Sequence, residues 1–108
     1  MLQIIMKEII YYETLNNKTP YLDWYESLDK SLKLIVDKWL SKVERGLYGE
    51  NKRLSEDLYE LKFLNGLRIY YTEIDNTIVL LFTGGNKSKQ SKDIDIAKKY
   101  LEEYKSRI

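Results

Sequence analysis

The sequence predicts a single α+β domain over residues 1–108, in which helices cover one face of a mostly antiparallel four-stranded sheet. Residues 58–83 contain three short β-type segments separated by turns, and residues 30–45 and 93–106 repeat apolar side chains at helical spacing. A chain of 108 residues is long enough for one hydrophobic core but not for two. The expected order of elements is therefore β-α-α-β-β-β-α.

The first half of the chain predicts one strand and two helices. Residues 3–12 are rich in Ile and Tyr, which favour a strand. Proline suits the first position of a helix, so a short helix is expected from Pro20 to about Leu28. Asp29 can then cap a second helix, Lys30 to Arg45, whose apolar residues recur three and four positions apart.

The second half of the chain predicts three strands and a last helix. Residues 47–57 are polar and are expected to be irregular. The strands expected after them are 58–64, 67–73 and 77–83. Between the first two, Asn65-Gly66 is a strong hairpin signal, because both residue types tolerate the positive φ of a type I′ turn. An amphipathic helix over 93–106 closes the domain.

The composition excludes several kinds of chemistry. The chain has no Cys, which rules out disulfides and thiolate catalysis, and no His, which removes the commonest general base and zinc ligand. No metal and no cofactor are expected. The formal net charge is +1, and no apolar run approaches the roughly 18 residues of a membrane helix. Together with an N-terminal segment unlike a signal peptide, this predicts a cytoplasmic protein without a membrane partner.

Two polar segments are expected to meet at one corner of the sheet. Alternation along the predicted hairpin places Glu60, Lys62 and Arg68 on the same face. The neighbouring strand runs into Gly84-Gly85, which is followed by a polar loop from Asn86 to Lys92 with three lysines and no acid. Glycines at positive φ expose N–H groups, and clustered cations attract anions. The pattern predicts a phosphate-sized site for a nucleic acid or nucleotide.

A structural interpretation of each of these features stays open. The hairpin charges can form cross-strand ion pairs on a solvated face, each contributing about 0.2–1 kcal/mol. The loop lysines can serve solubility, and Gly84-Gly85 can be a simple bend. Lys52-Arg53 can contact a phosphate or nothing. Trp24 and Trp39 lie on helical faces and are expected in the core.

Three segments of the chain carry a combined pattern. They are Leu58-Tyr59-Glu60-Leu61-Lys62-Phe63, then Gly66-Leu67-Arg68-Ile69-Tyr70-Tyr71, then Leu80-Leu81-Phe82-Thr83-Gly84-Gly85-Asn86-Lys87-Ser88-Lys89-Gln90 with Asp93-Ile94. In this order and at this spacing they resemble the RelE/ParE superfamily of toxins. The chain is most similar to the HigB-like addiction module killer branch, which also occurs as phage-derived proteins.

The resemblance implies a small toxin of a type II toxin–antitoxin system that cleaves mRNA, usually in the ribosomal A site, and so inhibits translation. A cognate antitoxin, often one with a helix-turn-helix domain, would neutralise it. By correspondence with the family's motifs, Arg68 is the strand arginine, Lys62 a basic strand position and Lys87 the basic residue after the glycines. Glu60 is the nearby carboxylate and a candidate general base. Substrate contacts are expected from Lys52, Arg53, Gly84, Gly85, Lys89 and Gln90.

The implied enzyme is a metal-independent endoribonuclease. The RNA 2′-OH attacks the adjacent phosphorus and expels the 5′-oxygen, which leaves a 2′,3′-cyclic phosphate and a 5′-hydroxyl. Arg68 would hold the phosphate, so the hypothesis requires that Arg68 is accessible and not buried against a permanent acidic partner. Two alternatives stay open. One is a ParE-like toxin that inhibits DNA gyrase by binding it, and the other is a non-catalytic, phage-derived nucleic-acid-binding protein.

Overall fold

A computed structural model describes residues 6–108 of the chain. Residues 3–5 of the predicted first strand lie outside the described residues. The strands are β1 (Glu8–Tyr11), β2 (Asn51–Arg53), β3 (Tyr59–Lys62), β4 (Leu67–Ile74) and β5 (Ile78–Asn86). The helices are α1 (Pro20–Glu26), α2 (Lys30–Glu44) and α3 (Gln90–Ser106), with 3-10 turns at Leu64–Gly66 and Lys87–Lys89.

The strands form one five-stranded mixed sheet in the order β1-β5-β4-β3-β2. β1 pairs in parallel with β5, and every other neighbouring pair is antiparallel. The α+β class is confirmed, but the predicted count of four strands is wrong. The missed strand, β2, has three exposed polar residues, so it carries no apolar alternation by which a sequence pattern could reveal it.

Helices cover both faces of the sheet, so the prediction of helices on one face is also wrong. Side chains from β4 and β5 that pack with α1 and α2 are Ile69, Tyr71, Val79 and Leu81. Side chains from the same strands that pack with α3 are Tyr70, Leu80 and Phe82. Consecutive buried apolar residues in a strand need cover on both sides of the sheet. The two sides are called the α1–α2 face and the α3 face below.

The tight turns follow the sequence closely. Asn65 and Gly66 both have positive φ, as do Asp75 and Asn76, as expected of these residue types. The predicted two-residue turn at Asn65-Gly66 is nevertheless wrong, because β3 ends at Lys62, Leu64–Gly66 forms a 3-10 turn, and the Phe63 N–H donates to the Leu67 carbonyl. Asp29 caps α2 as predicted, because its carboxylate accepts a hydrogen bond from the backbone N–H of Leu32 at 2.9 Å. These local signals set the hairpin register that places the candidate site.

Gly84 and Gly85 differ from their predicted conformation. They are not among the residues with positive φ, and β5 runs through both of them to Asn86. A Cβ at Gly84 would overlap the Trp24 ring on the α1–α2 face, and one at Gly85 would overlap the Asp93 carboxylate on the α3 face. The glycines therefore serve close packing on both sides of one strand.

The predicted lysine loop is shorter than expected. Residues Lys87–Lys89 form a 3-10 turn, and α3 begins at Gln90 rather than at Asp93.

None of the helices within residues 6–108 is both long enough and apolar enough to cross a membrane.

The packing of Gly84 is testable by substitution. Gly84→Ala should lower the free energy of unfolding by about 2 kcal/mol or more, because the new methyl group meets the rigid indole of Trp24. Gly85→Ala should cost less, because the Asp93 side chain can rotate away. Urea denaturation measures both effects. In a Trp24→Leu background the cost of Gly84→Ala should shrink, and an unchanged cost there would contradict this explanation.

Candidate functional site

The predicted catalytic residues of the hairpin do lie side by side. Glu60 of β3 is opposite Tyr70 of β4, and Lys62 is opposite Arg68. Residues that are directly opposite in an antiparallel pair project from the same face of the sheet. Because Tyr70 packs in the α3 cluster, this polar row lies on the α3 face.

Glu60 and Arg68 form a buried ion pair. The Arg68 Nε lies 3.5 Å from Glu60 Oε2, and the side chains are 10% and 0% exposed, respectively. The side-chain amide of Gln90 donates to the same Glu60 oxygen at 2.9 Å. Arg68 Nη1 also donates to the carbonyl oxygen of Gly66 at 3.1 Å. Each charged group thus has a partner within the fold, although Glu60 Oε1 and Arg68 Nε are buried without a hydrogen bond to any described residue.

This arrangement corrects two expectations about the site. Arg68 is not an accessible guanidinium, since it is buried against an acidic partner. Glu60 is not an accessible general base, since it is fully buried beneath the start of α3. The sequence prediction placed all helices on one face and so left this row exposed to solvent. The observed α3 covers it instead.

The exposed cations of the site surround this ion pair. Lys62 is about one-third exposed and its Nζ is 3.8 Å from Glu50 Oε1. Lys87 is exposed and lies next to the Gly66 turn, where a Cβ on Gly66 would be 3.3 Å from the Lys87 Cβ. Lys52 is exposed and lies opposite Glu60. These three lysines, from β2, β3 and the 3-10 turn, are called the cationic strip.

The other predicted substrate-binding residues are not counted in the cationic strip. Arg53 is opposite Tyr59, and its guanidinium donates to the carbonyl oxygens of Ser55 and Glu56 at 3.1 and 2.9 Å. Its charged group therefore stabilises its own loop. Gln90 holds Glu60, and Lys89 is exposed at the sheet end.

Tyr70 is a part of the site to which the sequence analysis assigned no role. It is fully buried, and its hydroxyl lies near Glu60 without a hydrogen bond of normal geometry to any described residue. Burial, and next the negative charge of Glu60, raise the pKa of Tyr70 well above its ordinary value of 10.0. Its position opposite Glu60 in the predicted hairpin was the signal that could have found it.

A cleft of about 520 Å³ opens at the end of the sheet beside this network. It is called the Trp24 cleft, and its lining is Trp24, Ser27, Leu28, Leu32, Asn65, Leu67, Gly84, Gly85, Asn86, Lys89 and Asp93. Burial raises the pKa of Asp93 above its ordinary value, and the charges of Lys89 and Lys92 oppose that rise. Trp24 and Trp39 were expected in the core, and both are partly buried and pack against the core cluster of the α1–α2 face. Trp24 also borders this cleft.

The described part of the chain shows no evident metal-binding site. No group of three or more acidic side chains within residues 6–108 is placed to hold a metal ion. The site therefore consists of lysines, one buried ion pair and the cleft.

Comparison with known proteins shows one family relationship. An uncharacterized protein of Haemophilus influenzae is 31% identical over 88 residues, and the alignment covers 65% of this chain and 89% of that protein. The chain belongs to the same family as this Haemophilus protein. No protein-family model matches the chain.

The Glu60–Arg68 ion pair predicts how substitutions of its two residues change the free energy of unfolding. Arg68→Ala should cost about 3–5 kcal/mol, because it leaves the Glu60 carboxylate buried and unpaired. The double variant Glu60→Leu/Arg68→Leu should cost less than the sum of the two single Leu substitutions. Urea denaturation of all variants completes a double-mutant cycle. Strictly additive single effects would show that the two side chains do not stabilise each other.

Tyr70 predicts a loss of stability at alkaline pH. Its pKa is raised in the folded protein, so the folded state binds more protons than the unfolded state once the pH exceeds about 10. The contribution is present below that pH and is lost as the pH rises further. Tyr70→Phe should flatten this decline, whereas Tyr104→Phe, at a partly exposed position, should leave it unchanged. The free energy of unfolding between pH 8 and 11 is the measurement, and identical curves for both variants would refute the assignment.

Proposed function

We propose that this chain is the toxin of a type II toxin–antitoxin system, with a RelE-like fold of the HigB-like branch, and that it acts on mRNA. The proposal is supported by the sequence resemblance and by one structural observation. Three lysines from separate segments converge around the Glu60–Arg68 pair. A cluster of exposed cations is the electrostatic footprint expected of a protein that contacts phosphates.

The condition set for the sequence hypothesis, an accessible Arg68, is not met, so a ribonuclease that holds its phosphate through Arg68 is not proposed. The proposed division of roles assigns the phosphate contacts to lysines instead. The cationic strip contacts the RNA phosphates, since its side chains are exposed. Arg68 forms an ion pair with Glu60 and donates one hydrogen bond, from Nη1 to the Gly66 carbonyl, and a guanidinium carries five donors in all. Arg68 therefore acts first as a positioning residue that holds β3, β4 and the Gly66 turn together beside Lys62 and Lys87.

The proposed reaction is metal-independent cleavage of RNA. The 2′-oxygen attacks the adjacent phosphorus as the bond to the 5′-oxygen breaks. One group accepts the 2′-OH proton, and a second group protonates the departing 5′-oxygen, which yields a 2′,3′-cyclic phosphate and a 5′-hydroxyl. Lys62, which is about one-third exposed, and Lys87, which is exposed, are the lysines of the strip nearest Arg68. They are assigned to these two proton transfers, one as a neutral amine that accepts the 2′-OH proton and the other as an ammonium that donates a proton to the 5′-oxygen. Placement of the RNA by the ribosome supplies orientation.

A second candidate is favoured by the burial of the ion pair. A ParE-like toxin inhibits DNA gyrase through protein contacts and needs no free phosphate-binding arginine. The paired Arg68 and the fully buried Glu60 fit that role better than they fit a ribonuclease that binds phosphate through Arg68. The third candidate, a non-catalytic nucleic-acid-binding protein, keeps the strip without the proton transfers.

The proposed partner is an antitoxin, which in this branch is often a helix-turn-helix protein. Its neutralising segment would cover the cationic strip, because covering exposed lysines blocks their contact with RNA. An acidic segment fits this surface best by charge. The proposed place of action is the cytoplasm, where mRNA is translated.

The lysines of the strip give the deciding experiment. Lys62→Ala/Lys87→Ala should lower the rate of mRNA cleavage in a translation reaction at least about 100-fold and abolish growth inhibition. Both positions are exposed enough that the double variant should keep its unfolding free energy. The matched control is Lys38→Ala, which removes an exposed lysine of α2 on the opposite side of the sheet.

The outcomes separate the three candidates. Cleavage within codons at the ribosomal A site, lost in the double variant and kept in Lys38→Ala, supports the ribonuclease. Intact mRNA with loss of gyrase supercoiling activity supports the ParE-like alternative. RNA binding without cleavage or toxicity supports the non-catalytic one.

A further inference from the structure

The Trp24 cleft lies beyond the point where β1 stops pairing with β5. β1 pairs with β5 only as far as Tyr11 opposite Leu81, with one more bond from the Tyr12 N–H to the Leu81 carbonyl. Beyond that point, no described strand lies on this side of β5. A strand residue directs its N–H and C=O to the same side, and successive residues alternate. One of Gly84 and Gly85 therefore directs both backbone groups away from β4, but both glycines are buried and supply no exposed groups to the cleft.

The walls of the cleft differ in chemistry. On the α1–α2 face, Trp24, Leu28 and Leu32 are partly exposed apolar side chains. The Trp24 ring lies close over Gly84, and the absence of a side chain there keeps the floor flat. At the opposite wall, Asn86, Lys89 and Asp93 supply polar and charged groups. An aromatic wall facing hydrogen-bonding groups suits a flat ligand with a polar edge.

The mouth of the Trp24 cleft lies next to the cationic strip. Lys89 lines the cleft, and Lys87 is two residues earlier in the same 3-10 turn. Lys87 is also part of the cationic strip. A backbone that follows the strip would pass the mouth of the cleft, with its phosphates next to these two lysines. Asp93 is the acidic group at the wall, where it can accept hydrogen bonds from ligand N–H groups.

We propose that the Trp24 cleft binds one unpaired nucleobase of a single-stranded RNA whose phosphates lie along Lys87 and Lys89. This inference rests on the proposed action on RNA and adds a base-binding site to it. The base stacks on the exposed part of Trp24, and its polar edge meets Asn86 and Asp93. A phosphate-bearing ligand fits the adjacent lysines, whereas a neutral peptide would leave them unused.

Tryptophan fluorescence tests the inference directly. The chain has two tryptophans, so Trp39→Phe leaves Trp24 as the sole tryptophan. The probe is a single-stranded 2′-O-methyl RNA, which cannot be cleaved through its 2′-oxygen. The control probe has the same backbone with abasic sugars. The base-bearing probe should quench Trp24 emission, and the abasic probe should bind without quenching it.

Two substitutions separate stacking from charge. In the full chain, Trp24→Leu should weaken binding of the base-bearing probe about tenfold and leave the abasic probe unaffected. Trp24→Phe should lose less, and circular dichroism would verify that both variants fold. Lys89→Ala should weaken both probes equally and reduce the salt dependence of binding by about one phosphate contact.

Failure of this inference is distinguishable from failure of the proposed function. The base site is refuted if RNA binds the protein without changing Trp24 emission, or if RNA binds Trp24→Leu as tightly as the parent chain. Either result would favour a polypeptide as the ligand of the cleft. If neither probe binds and translation proceeds uncut, the action on RNA itself is refuted, and the base site with it.

Discussion

The contact among Glu60, Arg68 and Gln90 is the constraint on which the rest of this structure depends. Glu60 is fully buried, and a buried carboxylate is tolerated only when it is paired and hydrogen-bonded. Its two partners come from different elements, the arginine from β4 and the amide from the first residue of α3. The pair therefore fixes the hairpin register and the docking of α3 together. Displacement of α3 from the sheet would leave the charge without its amide partner.

The same contact determines how the site can use its charges. The charges of Arg68 and Glu60 cancel each other. Long-range attraction of an anion therefore depends on the lysines around the ion pair. Lys52, Lys62 and Lys87 come from three segments, and their spacing is held by strand pairing and by the Gly66 turn. A ligand with several phosphates matches such a strip better than one with a single phosphate. This is the physical reason for proposing a polynucleotide as the target.

The end of β5 shows how two glycines create a cleft without any special backbone conformation. With Trp24 against Gly84 and Asp93 against Gly85, an aromatic ring and a carboxylate approach one strand from opposite faces. β1 ends before this point, so no described strand pairs with β5 on that side here. The cleft follows from close packing and from the short length of β1. Any side chain at either glycine would push one of its walls outward.

Much of this protein was determined by its sequence alone, namely the α+β class, the positive φ of Asn65-Gly66 and Asp75-Asn76 at the turns, and the cap of α2. Each of these depends on residues close in sequence, whose φ preferences and apolar spacing act locally. The tertiary structure alone decided that β2 joins the sheet, that α3 covers the row of Glu60 and Arg68, and that Trp24 borders a cleft. These features depend on contacts between segments distant in the chain, such as Gln90 with Glu60, and no local pattern specifies which face of a sheet a helix will cover.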